Sequence, residues 1–189
     1  MLGGMPFFDS LLNSFGTAGT GGFAIKNTSI AFYHSAYCDG IITFFMILFG
    51  VNFNLIYFFA IKKFAAAFKS EELRWYLFII MASALAITCN ILPIYTSFIE
   101  AFRYAIFQVA SIITTTGYVT ADYGQWPLFS QTILVLLMFV GACAGSTGGG
   151  MKVSRIIIGV KSAIAEMKRM IHPHSVTSVR FEGKYLSHA

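Results

Sequence analysis

The stretch SIITTTGY, residues 111–118, sets three consecutive threonines, a glycine and an aromatic between two long apolar runs. A tight turn needs fewer hydroxyls, and glycine weakens the interior of a buried strand. What surrounds the stretch decides its reading. The chain of 189 residues is 57% hydrophobic and 11% charged, against roughly 25% charged in an ordinary soluble domain. Its mean hydropathy is +0.71, and its 20 Phe and 9 Tyr match the aromatic excess of lipid-facing and interfacial surfaces. A soluble globule of this composition would expose too much apolar area to stay dispersed. The composition predicts an all-α integral membrane protein.

Three segments are apolar and long enough to cross a bilayer, which takes about 20 helical residues. They are 41–61, 76–96 and 128–145, the last running into GSTGGG. Two mixed stretches, 6–16 and 97–113, are too short and polar to span and too apolar for free loops; they read as re-entrant half-helices. Lys62, Lys63, Lys69 and Arg74 follow the first span, and Lys152, Arg155, Lys161, Lys168, Arg169, Arg180 and Lys184 follow the third. Cytoplasmic enrichment of Lys and Arg puts both groups inside, which requires an out-to-in, in-to-out, out-to-in path. The same path puts both half-helices, with the Thr/Gly segments after them, on the extracellular side. Topology thus explains the net charge of +5. The basic residues form two blocks beside apolar segments rather than one continuous face, which argues against nucleic acid as a partner.

Shifting the chain by 95 positions superposes FGTAGTGGFA (15–24) on ASIITTTGYV (110–119), an internal repeat. Gly22 meets Gly117, Phe23 meets Tyr118, Thr20 meets Thr115 and Asn13 meets Gln108; after a four-residue change in loop length, Gly50 meets Gly141. The same parts occur twice: half-helix, Thr/Gly turn, spanning helix. Only the second copy has its own preceding span, so the chain is expected to begin inside a larger protein.

Irregular backbone is tolerated in a membrane where it is buried in protein or lines water. An extended threonine run followed by a permissive glycine can present a ladder of carbonyl oxygens in place of a cation's hydration shell. The negative C-terminal end of the half-helix would face that ion. Ser97 and Glu100 form an S-x-x-E capping box at the second half-helix, while Pro6 and Asp9 suit the start of the first. Both acids are expected near the outer mouth, where negative charge concentrates cations.

GACAGSTGGGMK, 141–152, imitates a phosphate loop. Gly145 and Gly150 have the Walker spacing, but Met151 stands where lysine is required, and a membrane span precedes it. Small residues breaking a span point instead to an unwound, mobile element beneath the filter. Its residues are Gly145, Ser146, Thr147, Gly148, Gly149 and Gly150, a candidate gate. The MKVSRIIIGVKSAIAEMKRM segment after it has apolar residues at helical spacing with cations between them, suiting a helix along the cytoplasmic interface. A basic anchor and a binding surface for a regulator both fit it. Cys38, Cys89 and Cys143 lack metal spacing and read as buried small apolar residues. His172 and His174 have no further close ligand, and Asn52, Asn54 and Asn90 are expected to bond between helices. MLGGMPFFDS has neither a basic n-region nor a cleavage site, so it does not read as a signal peptide. No paired carboxylates, Ser/His/Asp set or metal cluster lies within the spans, which argues against an enzyme.

TTTGYVTADYGQWP followed by GACAGSTGGGMKVSRII resembles the third pore repeat and intramembrane gating loop of the Trk-type potassium uptake subunits, in the Trk/Ktr/HKT superfamily. SFGTAGTGGFA resembles the filter of the repeat before it, and HPHSVTSVRFEGKYL the cytoplasmic stretch that follows. The resemblance covers nearly the whole chain. It implies four M1-P-M2 pore-loop repeats about a pore, with re-entrant half-helices and a broken spanning helix. Residues 1–61 would be a partial second repeat, 62–75 a cytoplasmic loop, 76–150 the third repeat with its gating loop, and 151–189 a cytoplasmic or interfacial helix and tail. Thr20, Gly21, Gly22, Phe23, Thr115, Thr116, Gly117 and Tyr118 would bind potassium through backbone carbonyls, the two glycines favouring it over sodium. Potassium is the implied substrate of uptake or symport, with no cofactor in this chain. The implied partners are the lipid bilayer, the missing repeats of the same subunit, a second copy of the full subunit and a cytoplasmic nucleotide-binding regulatory subunit (TrkA-like). The implied location is the bacterial inner membrane, as a multi-pass protein. A rival from another class is a secondary transporter whose broken helices bind a small anionic substrate at their N-termini.

Overall fold

Helix starts follow from local sequence in the computed structural model, which describes residues 3–63, 69–171 and 179–186. α1 (Phe7–Ala18) begins after Pro6 at φ −55°, a residue whose fixed φ and missing N–H suit a helix entrance. α2 (Ala36–Phe49), α3 (Phe53–Ala60), α4 (Glu71–Ile91) and α5 (Phe98–Ile113) are capped by Ser35, Asn52, Ser70 and Ser97, whose side-chain oxygens accept from Cys38, Asn54, Leu73 and Ile99 N–H. Each cap satisfies a donor that a helix start leaves orphaned. Ser97 caps alone: Glu100 Oε2 accepts from the Thr96 hydroxyl at 3.0 Å, so the reciprocal half of the expected capping box does not form. α6 (Leu128–Val140) follows Pro127, and α7 (Val153–Ile171) follows the glycine-rich loop.

α1 and α5 occupy the two predicted half-helix stretches. α4 alone is long and apolar enough to cross a membrane as one helix among the described residues. At 1.5 Å per residue its 21 residues reach about 32 Å, against a hydrocarbon core of about 30 Å. It starts at Glu71, ahead of the expected 76, because Ser70 provides the cap and Glu71 and Glu72 complement the helix dipole.

The predicted span 41–61 is not one helix. It divides into α2 and α3, bent by 110°. Gly50 sits where a Cβ would overlap the Tyr76 hydroxyl and lie 2.8 Å from Thr114 Cγ2, and Asn52 restarts the helix as its cap. The Asn52 side chain therefore serves this local restart rather than a bond between helices, accepting from Asn54 N–H at 2.9 Å. Asn90 does link helices, accepting from Ser130 Oγ at 2.7 Å between α4 and α6. The third predicted span ends as helix at Val140, with Gly141 at φ +74°. Both M2-like helices thus break at the glycines that the repeat superposes, Gly50 and Gly141.

α5 is the centre of the packing. From Ala105 to Ile113 only Ile106 is not buried, and α5 touches α2, α4 and α6. α4 presents Tyr76, Ile80, Ala84, Ile87 and Ile91 at helical spacing to the same core as Ala101, Ala105 and Val109. The two alanines let helices approach closely, as small residues do in membranes. Cys38 and Cys143 are buried as expected, but Cys89 is exposed on α4, because it lies off that stripe. His172 and His174 lie outside the described residues. A departure from all-α structure is the hairpin β1 (Val179–Phe181) and β2 (Lys184–Leu186), joined at Glu182 (φ +50°) and Gly183 (φ +78°). Positive φ at both central residues is the hairpin turn that matches strand twist.

Asp39 of α2 and Arg103 of α5 pair across the helices, Oδ2 to Nε at 3.6 Å, with the carboxylate buried and the guanidinium about one-third exposed. Asp39→Ala removes the partner of a partly buried cation and is expected to lower unfolding stability in detergent by about 1–2 kcal/mol. The Asp39→Ala, Arg103→Ala double variant is expected to lose less than the sum of the single losses.

Candidate functional site

The two Thr/Gly segments fold alike, hydrogen bond for hydrogen bond. After α1, Gly19 N–H donates to Phe15 O, Thr20 to Thr17 O and Gly21 to Gly16 O. After α5, Thr114 donates to Ala110 O, Thr115 to Ile112 O and Thr116 to Ser111 O, the same pairs 95 residues on. Left-handed φ recurs in register as well, at Thr20 (+48°) and Gly22 (+65°), then at Thr115 (+58°) and Gly117 (+87°). Four dihedrals of this kind do not coincide without a shared task, since a left-handed threonine costs about 1–2 kcal/mol.

The segment is therefore not the extended run expected from TTTGY. It alternates left-handed and ordinary residues, because its N–H groups fold back onto the last turn of their own half-helix. Gly117 N–H also returns to Ser111 O, at 3.2 Å. The carbonyls are left over. Among the described residues no donor reaches the oxygens of Thr20, Gly21, Gly22 and Phe23, or of Thr115, Thr116 and Gly117. Tyr118 O differs, accepting from Ser111 Oγ at 2.6 Å. The C-terminal, negative ends of α1 and α5 lead into these turns.

Each of the three threonines has its own role. Thr114 Oγ1 bonds back to Ala110 O at 2.7 Å, and the Thr114 and Thr116 hydroxyls are paired at 2.7 Å. Thr115 Oγ1 accepts from Gly149 N–H of the glycine-rich loop at 2.7 Å.

The two turns touch each other. A Cβ on Gly22 would overlap the Thr116 carbonyl oxygen. Tyr118, fully buried, donates its hydroxyl to Asn13 O at 3.2 Å, and a Cβ on Gly16 would overlap that hydroxyl. Tyr118 is thus a strut from the second Thr/Gly turn onto the first half-helix. Beyond the turns, Val119 N–H donates to Ser29 Oγ and Ala31 N–H to Val119 O. Phe23, the counterpart of Tyr118, is 85% exposed. Asp9 and Glu100 are both engaged locally, Asp9 by the Tyr33 hydroxyl at 2.7 Å. That bond and burial, burial foremost, push the Tyr33 phenol up to about 12.

Residues 141–152 form a closed loop beneath the second turn. Its neck is drawn together by Val153 N–H to Ala142 O, Met151 N–H to Phe139 O and the apposition of Gly141 and Gly150, where an added Cβ would meet the facing Cα within 2.8 Å. A Cβ on Gly148 would come 3.0 Å from Thr114 O. The Lys152 ammonium donates to Gly148 O. The α2–α3 break docks on the same loop: Cys143 N–H donates to Gly50 O, and Phe53 N–H to Gly145 O. Glu72, which sequence reasoning passed over as a first-turn acid, is 5% exposed and accepts from Ala144 N–H at 2.7 Å and Ser154 N–H at 3.1 Å. No group of three or more His, Cys, Asp or Glu among the described residues could hold a metal ion. The bare oxygens of the two turns themselves are backbone carbonyls, with the unpaired Asn13 Oδ1 and Gln108 Oε1 on the half-helices behind them.

Comparison with known proteins agrees with this arrangement. The sequence model of a family described as "TrkH: Cation transport protein" matches residues 2–189. The Trk system potassium uptake protein TrkH of Salmonella typhimurium is 35% identical over 188 residues, covering 97% of this chain and 38% of that protein. Trk system potassium uptake protein TrkG of Escherichia coli is 31% identical, over 98% of this chain and 39% of its own. The crystal structure of the potassium transporter TrkH from Vibrio parahaemolyticus superposes with a TM-score of 0.89 at 36% identity, covering 98% of this chain and 41% of that one. The chain spans about two-fifths of the length of these relatives.

The glycines of the two turns differ in surroundings, which yields a test. Gly22→Ala combines left-handed strain with overlap of the Thr116 carbonyl and is expected to destabilise by about 3 kcal/mol or more. Gly117→Ala, whose Cβ meets nothing within 4 Å, is expected to lose only about 1–2 kcal/mol of strain energy. Thermal unfolding of the two variants in detergent measures the gap.

Proposed function

Because the chain belongs to the TrkH family of cation transport proteins, we propose that it builds part of a potassium uptake pore. In this reading Thr20, Gly21, Gly22 and Phe23, with Thr115, Thr116, Gly117 and Tyr118, form two quarters of a carbonyl filter. The observation that carries it is the duplicated turn, which folds the N–H groups of Gly19 to Gly21 and of Thr114 to Gly117 onto its own half-helix and leaves a row of carbonyl oxygens bare in two contacting copies. A dehydrated cation is the ligand such oxygens suit. Tyr118 contributes mainly as the strut, since Ser111 already takes one lone pair of its carbonyl.

Residues 1–61 act as a partial pore repeat, 62–75 as a cytoplasmic loop, 76–150 as a further repeat and 151–189 as its cytoplasmic extension. Gly145–Gly150 serve as the gate, lying directly against Thr115 and Thr114. Phe23 supports the presence of further repeats. Tyr118 buries its ring on the half-helix of the preceding copy, and Phe23 has the same position in the repeat with no such surface among the described residues. Potassium is cargo rather than cofactor, taken up across a bacterial inner membrane. The full subunit is proposed to pair with a second copy and with a cytoplasmic nucleotide-binding regulatory subunit at the α7 and hairpin face.

The rival reading, an anion bound at helix N-termini, is disfavoured by polarity. Both half-helices point their C-terminal ends at the Thr/Gly turns, and those ends repel anions.

The test is rubidium uptake, with sodium competition, in potassium-uptake-deficient bacteria expressing this segment within a full-length subunit. Gly117→Ser is expected to keep expression and to raise competition by sodium. Identical uptake and competition in the two proteins would refute the filter.

A further inference from the structure

The glycine-rich loop is closed at its neck by backbone bonds and docks on the α2–α3 break, and a carboxylate from α4 holds it at both ends. We propose that Glu72 is a positioning residue that latches the Gly145–Gly150 loop in place beneath the filter. The inference rests on the reading of that loop as the gate.

A single carboxylate oxygen, Glu72 Oε1, accepts from Ala144 N–H on the way into the loop and from Ser154 N–H just after its exit. Ser154 is the second residue of α7, so the carboxylate also meets the positive end of that helix, and both bonds are charge-assisted. Glu72 is buried at 5% exposure, and water does not compete for it. It projects from α4, whose core stripe packs against α5, the half-helix that carries the second filter turn. Loop and filter are thereby referred to one frame. With the loop held, Gly149 N–H reaches Thr115 Oγ1.

The turn of α4 that carries Glu72 is itself braced from the tail. Glu182 Oε1, at the hairpin tip, accepts from Ser70 Oγ at 2.8 Å and from Glu72 N–H at 3.2 Å. Lys161 of α7 pairs with Glu71 Oε1 at 2.6 Å and donates to Arg180 O at 3.0 Å. Latch, α7 and hairpin form one continuous set of bonds, so a displacement of α7 pulls on both the Ser154 and the Lys161 contacts.

The test uses the full-length subunit carrying this segment, with Glu72→Ala, Glu72→Asp and Glu72→Gln. Three quantities are read: alkylation of Cys143 by a membrane-permeant maleimide, unstimulated rubidium flux, and rubidium-to-sodium selectivity. Cys143 is fully buried, with its N–H on Gly50 O, and reports release of the loop. Glu72→Ala is expected to raise Cys143 alkylation and unstimulated flux about tenfold each, a population shift toward the unlatched loop. Selectivity is expected to stay at its original value, since the backbone bonds that fold the second turn onto α5 do not involve the loop. Glu72→Gln retains an oxygen acceptor and restores most of the protection. Glu72→Asp, one methylene short of both amides, falls between, and carries the test if the alanine variant fails to reach the membrane. Unchanged Cys143 alkylation in the alanine or aspartate variant overturns the latch, as does a change in selectivity. Raised alkylation with unchanged flux upholds the latch and counts against the loop as the gate.

Discussion

Backbone that leaves helical geometry inside a hydrocarbon layer must find every N–H and C=O partner within protein or water. This chain leaves helical geometry at four such places: after α1, after α2, after α5 and after α6. The two half-helix exits solve the problem inward, folding their N–H groups onto their own last turns. The two M2-like breaks solve it mutually, through Cys143 to Gly50 and Phe53 to Gly145, with Glu72 taking Ala144 and Ser154. Among the described residues, the two turns are left with a row of carbonyl oxygens that no donor reaches, Thr20 to Phe23 and Thr115 to Gly117. Such a row is what the proposed filter requires of the backbone.

The same accounting explains the glycines. Gly22 stands where a side chain would overlap the neighbouring turn, Gly50 where it would overlap Tyr76, and Gly141 and Gly150 where the neck of the loop closes on itself. The arrangement is modular. Tyr118 fills the gap between the second Thr/Gly turn and the previous half-helix, and the equivalent Phe23 has an exposed ring. A unit that presents a strut at one end and a seat at the other suits assembly around a ring.

Much of this was legible in the residues. The half-helices 7–18 and 98–113 fall where short mixed stretches stood between apolar runs, and the register of 95 predicted which threonines and glycines share a conformation. The family was legible too, because the Thr/Gly turn and the GSTGGG loop occur together. Three features were not. The break in 41–61 was hidden by its uniform apolarity; the cue was Gly50 itself, already superposed on Gly141, followed by an asparagine able to cap. Glu72 was hidden because its partners are backbone amides 72 and 82 residues away, and backbone amides leave no trace in side-chain patterns. TTTGY was read as extended because left-handed threonine is rare. Only the closing hydrogen bonds onto Ser111 and Ile112 require it.

The most direct measurement is the distribution of bound ions in the full-length subunit, determined by crystallography in thallium, whose anomalous signal distinguishes it from water. The account predicts density on the pore side of the turns, flanked by the carbonyl oxygens of Thr20 to Gly22 and of Thr115 to Gly117, and lost when sodium replaces thallium. Ordered thallium elsewhere in the membrane region, with the two turns empty, would contradict it.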